Sequence, residues 1–180
     1  MRLFFALWPE ADTRERIGNA AAALRLPEGA RFVPQANYHL TLAFIGEATE
    51  SQLAVLRRIG RGQRAAGCTI TIDAYEYWPE SQVVVAVARE PPAALAELWR
   101  QLHHDLALHP AAPKRNRQLP PLRAHVTLAR KVSQAPVLPA MSPFAWNARS
   151  FSLVRSDASA AHSIYTVVDT WLLLDESPTA

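Results

Sequence analysis

Two six-residue segments of this chain are nearly identical, and both have the composition of a half-buried β-strand. Residues 39–44 read HLTLAF and residues 125–130 read HVTLAR. Successive side chains of a strand point to opposite faces, so the histidine and the threonine of each segment project from the same face. The apolar residues between and after them suit a buried face. The sequence therefore predicts two strands that each present an imidazole and a hydroxyl to one side.

These two motifs contain the groups that proton transfer near neutral pH requires. His39 and His125 can serve as one general acid and one general base, because the pKa of an imidazole is close to 6.5. Thr41 and Thr127 can donate hydrogen bonds to the non-bridging oxygens of a phosphodiester held between the motifs. A single His-x-Thr pair is usually an ordinary surface pair, so the duplication is what indicates a common catalytic groove.

The rest of the chain alternates strands with helices. Predicted strands cover residues 3–7, 38–45, 68–77, 82–88, 122–130, 148–156 and 164–174, and predicted helices cover 10–26, 49–66 and 91–108. Thr49 and Gln52 form a capping-box pattern, and residues 78–81 have the composition of a hairpin turn. The order strand, helix, motif strand occurs twice, over residues 3–45 and 83–130. We therefore expect an α+β fold of two similar lobes, with the motif strands side by side at their boundary.

Length and composition agree with this interpretation. The 180 residues are 49% hydrophobic and 19% charged, as in a globular protein. We expect one bilobal domain over residues 1–176, with two pseudo-symmetric lobes, and a frayed tail over 177–180. The formal net charge of +3 comes almost entirely from arginine, whose planar fork of donors matches phosphate oxygens. A genome-wide preference for arginine and alanine codons explains the same bias equally well.

Several chemical classes are not expected. Cys68 is the only cysteine, so neither an internal disulfide nor a thiolate metal cluster can form. The sequence has no His-Glu-x-x-His helix, no glycine-rich phosphate loop and no Gly-x-Ser-x-Gly elbow, so we expect no metal and no cofactor. It also has no signal-peptide pattern and no apolar stretch that could span a bilayer. A monomeric cytoplasmic protein with no membrane partner is the simplest expectation.

The motifs and their flanks resemble the two-histidine phosphoesterase superfamily, in its RNA 2′,3′-cyclic phosphodiesterase branch, long named 2′-5′ RNA ligase. The matching segments are RLFFAL at 2–7, FVP at 32–34, HLTLAFIGE at 39–47, and 153–156 followed by Tyr165. The resemblance implies a bilobal duplicated α+β fold, in which two antiparallel sheets line a central groove and helices lie outside. It also implies metal-independent hydrolysis of a terminal 2′,3′-cyclic phosphate to a 2′-phosphate.

The resemblance also implies roles for individual residues. His39 would be the general acid that protonates the leaving 3′-oxygen, and His125 the general base that activates water. Thr41 and Thr127 would hold the phosphate. Because the two motifs are nearly symmetric, the residues themselves leave the assignment of acid and base open.

The last residue of each motif has two interpretations. Arg130 matches an arginine that in this branch lies near the phosphate or the base, yet strict alternation places it on the face opposite His125 unless the strand bends. Phe44 stands at the equivalent position of the first motif. It can stack on a base, although a core phenylalanine is the favoured interpretation.

Other candidates have ordinary explanations. His103, His104 and His109 lie on one predicted helix but at spacings unsuited to a shared metal, so we interpret them as solvent-facing or helix-end histidines. The basic segment 114–117, with Arg123, either guides an RNA backbone or is a solvated loop. The predicted partners are RNA 2′,3′-cyclic phosphate ends or small cyclic nucleotides. The alternative functions are 2′-5′ RNA ligation and non-catalytic binding of RNA ends or nucleotides.

Overall fold

The computed structural model describes residues 1–110, 112, 121–158 and 163–175, and this part of the chain contains ten strands and three α-helices. The strands are β1 (Arg2–Leu7), β2 (Arg31–Phe32), β3 (Leu40–Glu47), β4 (Cys68–Ile72), β5 (Ala74–Trp78), β6 (Val83–Val87), β7 (His125–Arg130), β8 (Phe144–Ala148), β9 (Ser150–Ala158) and β10 (Ser163–Leu172). The helices are α1 (Ala11–Ala22), α2 (Glu50–Gly62) and α3 (Ala93–Leu108). None of these helices is long and apolar enough to cross a membrane.

The strands form two antiparallel sheets. The larger sheet has the order β10-β9-β1-β3-β7-β6-β5, with the short β2 also paired to β7, and the smaller sheet consists of β4 and β8. The predicted α+β class with two antiparallel sheets is confirmed. Both motif strands belong to the larger sheet, so the smaller sheet contains neither motif.

The predicted internal repeat is visible in the order and pairing of the elements. β1, α1 and β3 form one copy, and β6, α3 and β7 form the other, with each outer strand antiparallel to its motif strand. β3 and β7 are neighbours, as expected, but they share only one register pair, Leu40 with Val126. The two halves of the sheet therefore meet along a short seam between the two motifs.

One face of the larger sheet packs against the helices. Alternate residues of β1 (Leu3, Phe5 and Leu7) join side chains of the three helices in the main hydrophobic core. The other face carries two small apolar clusters, one containing Phe4 and one containing Val85. This second face is the one on which polar groove residues can be presented to a ligand.

Local signals explain most of the boundaries. The capping box at the start of α2 is present, since the Thr49 hydroxyl accepts a hydrogen bond from the Gln52 amide and the Gln52 side chain accepts one from the Thr49 amide. α1 ends at Ala22, whereas the predicted helix continued to residue 26, immediately before Pro27. The last turn tightens, because the amides of Ala23 and Leu24 donate to the carbonyl groups of Ala20 and Ala21, three residues back, and Pro27 then disfavours helical conformation at Leu26.

One predicted strand is corrected, and two strands of the structure had no prediction. The segment predicted as one strand over 68–77 is divided at Asp73 into two strands. β4 belongs to the smaller sheet, and β5 belongs to the larger one. The carboxylate of Asp73 accepts a hydrogen bond from the Arg89 amide and pairs with its guanidinium, which fixes this break. β2 and β8 were not predicted. The proposed tail over 177–180 and the basic segment 114–117 lie outside the described residues.

Candidate active site

The pairing of β3 with β7 brings the two His–Thr motifs together. Leu40 and Val126 are register partners in antiparallel strands, and both side chains are buried. One residue to either side, this register brings His39 towards Thr127 and Thr41 towards His125. All four polar side chains are half-buried, in contrast to their apolar neighbours. The register thus sets the two motifs next to each other across the seam, although of the four residues only His39 and Thr41 line the pocket described below.

Each motif strand contains a β-bulge at the same position. In β3, Thr41 pairs with Ala6 and Ala43 with Phe5, so Leu42 has no partner on β1. A β-bulge inserts one extra residue into a strand and shifts the alternation of the residues that follow. Leu42 and Ala43 are accordingly both buried.

The bulge in β7 repeats this arrangement. Thr127 pairs with Val85 and Ala129 with Val84, so Leu128 has no partner on β6. Leu128 and Ala129 are both buried, as are the equivalent residues of β3. The fourth residue of each motif is therefore the inserted one.

The two bulges bring the last residue of each motif to the groove face. Phe44 is 49% exposed and lines one pocket together with Arg130, His39 and Thr41. The favoured interpretation of Phe44 as a core residue is therefore wrong. The objection that alternation directs Arg130 away from the site is removed, because the bulge shifts the alternation after Thr127.

This pocket lies on the face of the larger sheet that carries Phe4 and has a volume of about 390 Å³. Its remaining lining residues are Arg2, Phe4, Ser156 and Tyr165. The guanidinium of Arg2 lies 5.6 Å from the ring centroid of Phe44, and Arg130 lines the same pocket, so the pocket combines an exposed aromatic ring with two arginines. Sequence reasoning missed Arg2 and Ser156, because nothing in their local pattern distinguishes them from other strand residues.

Both motif histidines are held in the same way. Nδ1 of His39 lies 2.7 Å from the carbonyl oxygen of Asn37, and Nδ1 of His125 lies 2.6 Å from that of Arg123. A carbonyl only accepts hydrogen bonds, so Nδ1 is the donor in each pair. The neutral rings then carry a lone pair on Nε2, which is the atom available for proton transfer.

His39 lies among aromatic rings. Trp8 stacks nearly parallel to it at a centroid distance of 5.5 Å, Phe4 lies at 4.9 Å, and Tyr165 meets it edge-on at 5.2 Å. Burial, together with the charges of Arg130 and His125, lowers the pKa of His39 to about 4, against the opposing effect of the Asn37 hydrogen bond. His39 is therefore neutral at pH 7 in the empty groove.

His125 has a more polar environment. Its ring lies 4.5 Å from that of Trp78, and the guanidinium of Arg123 lies 4.1 Å above the centroid of Trp78. Glu76 accepts hydrogen bonds from both Arg123 and the Trp78 indole. Burial lowers the pKa of His125, the hydrogen bond to the Arg123 carbonyl raises it, and the charges of Arg123 and Glu76 act in opposite directions.

The three histidines at positions 103, 104 and 109 have different environments. His104 is exposed and His109 caps the helix end, as expected. The interpretation of His103 as solvent-facing or helix-end is wrong, because this residue is only 6% exposed and its Nε2 lies 3.0 Å from the carbonyl oxygen of Leu42. α3 packs directly against β3, so this side chain points into the core. Within the described ranges, no three histidine, cysteine or acidic side chains are grouped as metal ligands.

The fold and the paired motifs agree with the comparison to known proteins. The chain belongs to the 2′-5′ RNA ligase superfamily, whose family model matches residues 9–160. It is 34% identical to the RNA 2′,3′-cyclic phosphodiesterase of Escherichia coli, over 96% of each chain. It is 28% identical to the protein of the same name from Thermus thermophilus, over 98% of this chain and 92% of the relative. The structure of E. coli LigT complexed with 3′-AMP superposes with a TM-score of 0.80 at 31% identity, over 97% of this chain and 98% of that one.

Proposed function

We propose that this chain is an RNA 2′,3′-cyclic phosphodiesterase that opens a terminal cyclic phosphate to a 2′-phosphate without a metal ion. The observation that carries this proposal is the seam between β3 and β7, which sets one His–Thr motif against the other. The names of the E. coli and T. thermophilus relatives support the same activity. The proposed enzyme is a cytoplasmic monomer with one catalytic domain over residues 1–176.

The proposed reaction uses both histidines at once. Nε2 of His125 takes a proton from water as the water oxygen bonds to phosphorus. The bond from phosphorus to the 3′-oxygen breaks on the opposite side, and Nε2 of His39 delivers its proton to that oxygen. The products are a 3′-hydroxyl and a 2′-phosphate, and the two histidines have exchanged their protonation states.

The remaining polar groups of the site hold the phosphate in this mechanism. Thr41 and Thr127 donate hydrogen bonds to its two non-bridging oxygens, and Arg130 supplies a nearby positive charge to balance the charge that develops there. Each of these groups precedes or follows a bulge on a paired strand, so its position is fixed before the substrate binds. Such preorganisation means that little reorganisation is needed during the reaction.

Substrate binding prepares the acid. His39 is neutral in the empty groove, because its pKa is lowered to about 4. A phosphodiester anion beside it favours the protonated ring, so the pKa rises when substrate is bound. In this mechanism the enzyme acquires its catalytic proton together with the phosphate.

The pocket beside His39 supports a nucleotide as the substrate. The exposed ring of Phe44 offers a stacking surface for a base, and Arg2 and Arg130 line the same pocket. The complex of E. coli LigT with 3′-AMP is a relative that holds a nucleotide. RNA ends and small cyclic nucleotides both present a base next to a 2′,3′-cyclic phosphate, and both are proposed substrates.

The proposal is tested with a short RNA that ends in a 2′,3′-cyclic phosphate, incubated in EDTA with the wild type, His39→Ala and His125→Ala. We expect a 2′-phosphate product, and a loss of at least about 10²-fold in kcat for each variant, since one proton transfer is removed. His104→Ala, which alters an exposed histidine outside the groove, is the control. Binding without turnover, or activity that EDTA abolishes, contradicts the proposal.

A second RNA with a 5′-hydroxyl, added to the same reaction, tests ligation. Water at about 55 M competes with that hydroxyl unless the two RNA ends are held together. We therefore expect hydrolysis to dominate. A 2′-5′-linked product that forms faster than the 2′-phosphate identifies the chain as a ligase instead.

A further inference from the structure

The carbonyl group at the bulge of each motif strand accepts a hydrogen bond, but the donor differs between the two strands. In β7, the carbonyl oxygen of Leu128 accepts a hydrogen bond of 2.8 Å from the amide of Val33, which extends the pairing of β2 with β7. In β3, the carbonyl oxygen of Leu42 accepts Nε2–H of His103 at 3.0 Å. The equivalent carbonyl group of each bulge is therefore hydrogen-bonded, in β7 to a backbone amide and in β3 to a histidine side chain.

His103 can reach Leu42 because α3 packs across β3. Its ring is buried and lies 4.4 Å from that of Trp99, which restricts its rotation. It approaches β3 from the helical side of the sheet, whereas Thr41 and Phe44 line the pocket on the other side. His103 therefore acts on the strand and has no contact with a ligand in the groove.

The bulge determines which residues of β3 face the groove. Thr41 immediately precedes Leu42, and Phe44 follows it by two positions. Without the inserted residue, strict alternation would direct Ala43 to the groove and Phe44 to the core. A bond that fixes the Leu42 carbonyl thus fixes the positions of the phosphate donor and of the aromatic surface together.

We propose that His103 is a positioning residue of the active site, which holds the β3 bulge through the Leu42 carbonyl and so orients Thr41 and Phe44. The expected effect on kcat rests on the proposed function, whereas the expected effect on the β3 bulge does not. The His103 side chain holds the backbone of β3 in place at the bulge and takes no part in proton transfer.

Two substitutions separate the hydrogen bond from simple packing. His103→Leu fills the space without a donor, and His103→Gln restores a donor at about the position of Nε2. We expect kcat to fall by about 10-fold to 100-fold in His103→Leu, since a misplacement on the order of 1 Å can cost about 10²-fold. His103→Gln is expected to remain within about threefold of the wild type, and both variants should leave the pH dependence of kcat unchanged in shape.

A matched control removes the effect of stability. Leu106→Ala truncates another buried side chain of α3, one turn from His103, and is expected to lower the melting temperature with little change in kcat at 20 °C. If His103→Leu loses no more kcat than Leu106→Ala, or if His103→Gln is as impaired as His103→Leu, the positioning role is refuted.

Amide hydrogen exchange tests the same role without substrate. His103→Leu should exchange faster than the wild type, by about tenfold or more, at residues 41–45, whereas β4 in the smaller sheet should be unaffected. Unchanged exchange at 41–45 overturns the inference even if the enzyme is active. Faster exchange in a protein that hydrolyses no cyclic phosphate upholds the positioning role and rejects the proposed function.

Discussion

Phe44 and Arg130 occupy the same position in the two motif strands, and both line the pocket that contains His39. Both motif strands have a bulge at the same position before these residues, yet one strand presents an aromatic ring and the other a guanidinium. The groove is therefore symmetric in its framework and asymmetric in its chemistry. This asymmetry suits a ligand that carries a base at one end and an anion at the other.

The pH dependence of catalysis should show that the pKa values of both histidines are lowered in the free enzyme. The active form has one protonated and one neutral histidine, so kcat/KM should be bell-shaped, because this parameter reports the free enzyme. Its alkaline limb should lie below pH 6.5, and kcat should have its optimum at higher pH, since bound phosphate raises both pKa values. Steady-state rates between pH 4 and 9 measure this. A value of kcat/KM that rises steadily to pH 8 contradicts it.

The assignment of acid and base can be tested with a leaving group that needs no proton. On a p-nitrophenyl phosphodiester, His39→Ala should recover most of its activity relative to the wild type, because p-nitrophenolate departs readily without a general acid. His125→Ala should remain impaired, since the attacking water still needs a base. The ratio of rates on the RNA and on the nitrophenyl substrate is the readout. Recovery by His125→Ala alone reverses the two roles.

The free energy of unfolding should fall in acid because of His39. The pKa of this residue is about 4 in the folded protein and near 6.5 in the unfolded chain, so the unfolded state binds more protons between these values. Stability that is present above pH 6.5 is therefore lost as the pH falls towards 4, by an amount on the order of 3 kcal/mol. Urea denaturation of the wild type and His39→Gln at pH 7.5 and 4.5 measures this difference. Equal losses in both proteins would show that His39 makes no such contribution.

Phe44→Ala should weaken substrate binding without destabilising the fold. The ring is half exposed in the pocket, and loss of a base–aromatic stack costs about 1–3 kcal/mol, so we expect KM to rise by about 5-fold to 150-fold. Phe32→Ala is the matched control, because Phe32 is 48% exposed but does not line this pocket. An equal effect of the two substitutions on KM argues against stacking on Phe44.

The sequence predicts the groups of the site better than their arrangement. The motifs, the internal repeat and the adjacency of the two motif strands follow from local patterns that recur along the chain. The bulges do not, because Leu42 and Leu128 are apolar residues of the kind any buried strand position takes. Only the pairing with β1 and β6 shows that a residue is inserted at each of these two positions.

His103 shows a second limit of local patterns. Its bond to the Leu42 carbonyl joins residues 61 positions apart, and nothing near His103 in the sequence indicates that partner. β8 was missed for a related reason, since Phe144–Ala148 is a short segment that gains its strand conformation from pairing with β4. In both places the structure depends on a partner that is distant in the sequence.

The inserted leucine changes which side chain is displayed without lengthening the strand. A regular strand would present His, Thr and Ala on one face and would bury the residue that follows. Because two residues oppose one at the bulge, Thr41 and Phe44 lie opposite Ala6 and Phe4, which are only two residues apart, and Thr127 and Arg130 lie opposite Val85 and Val83. Each strand therefore exchanges a methyl group for a large side chain at about the same distance from its threonine.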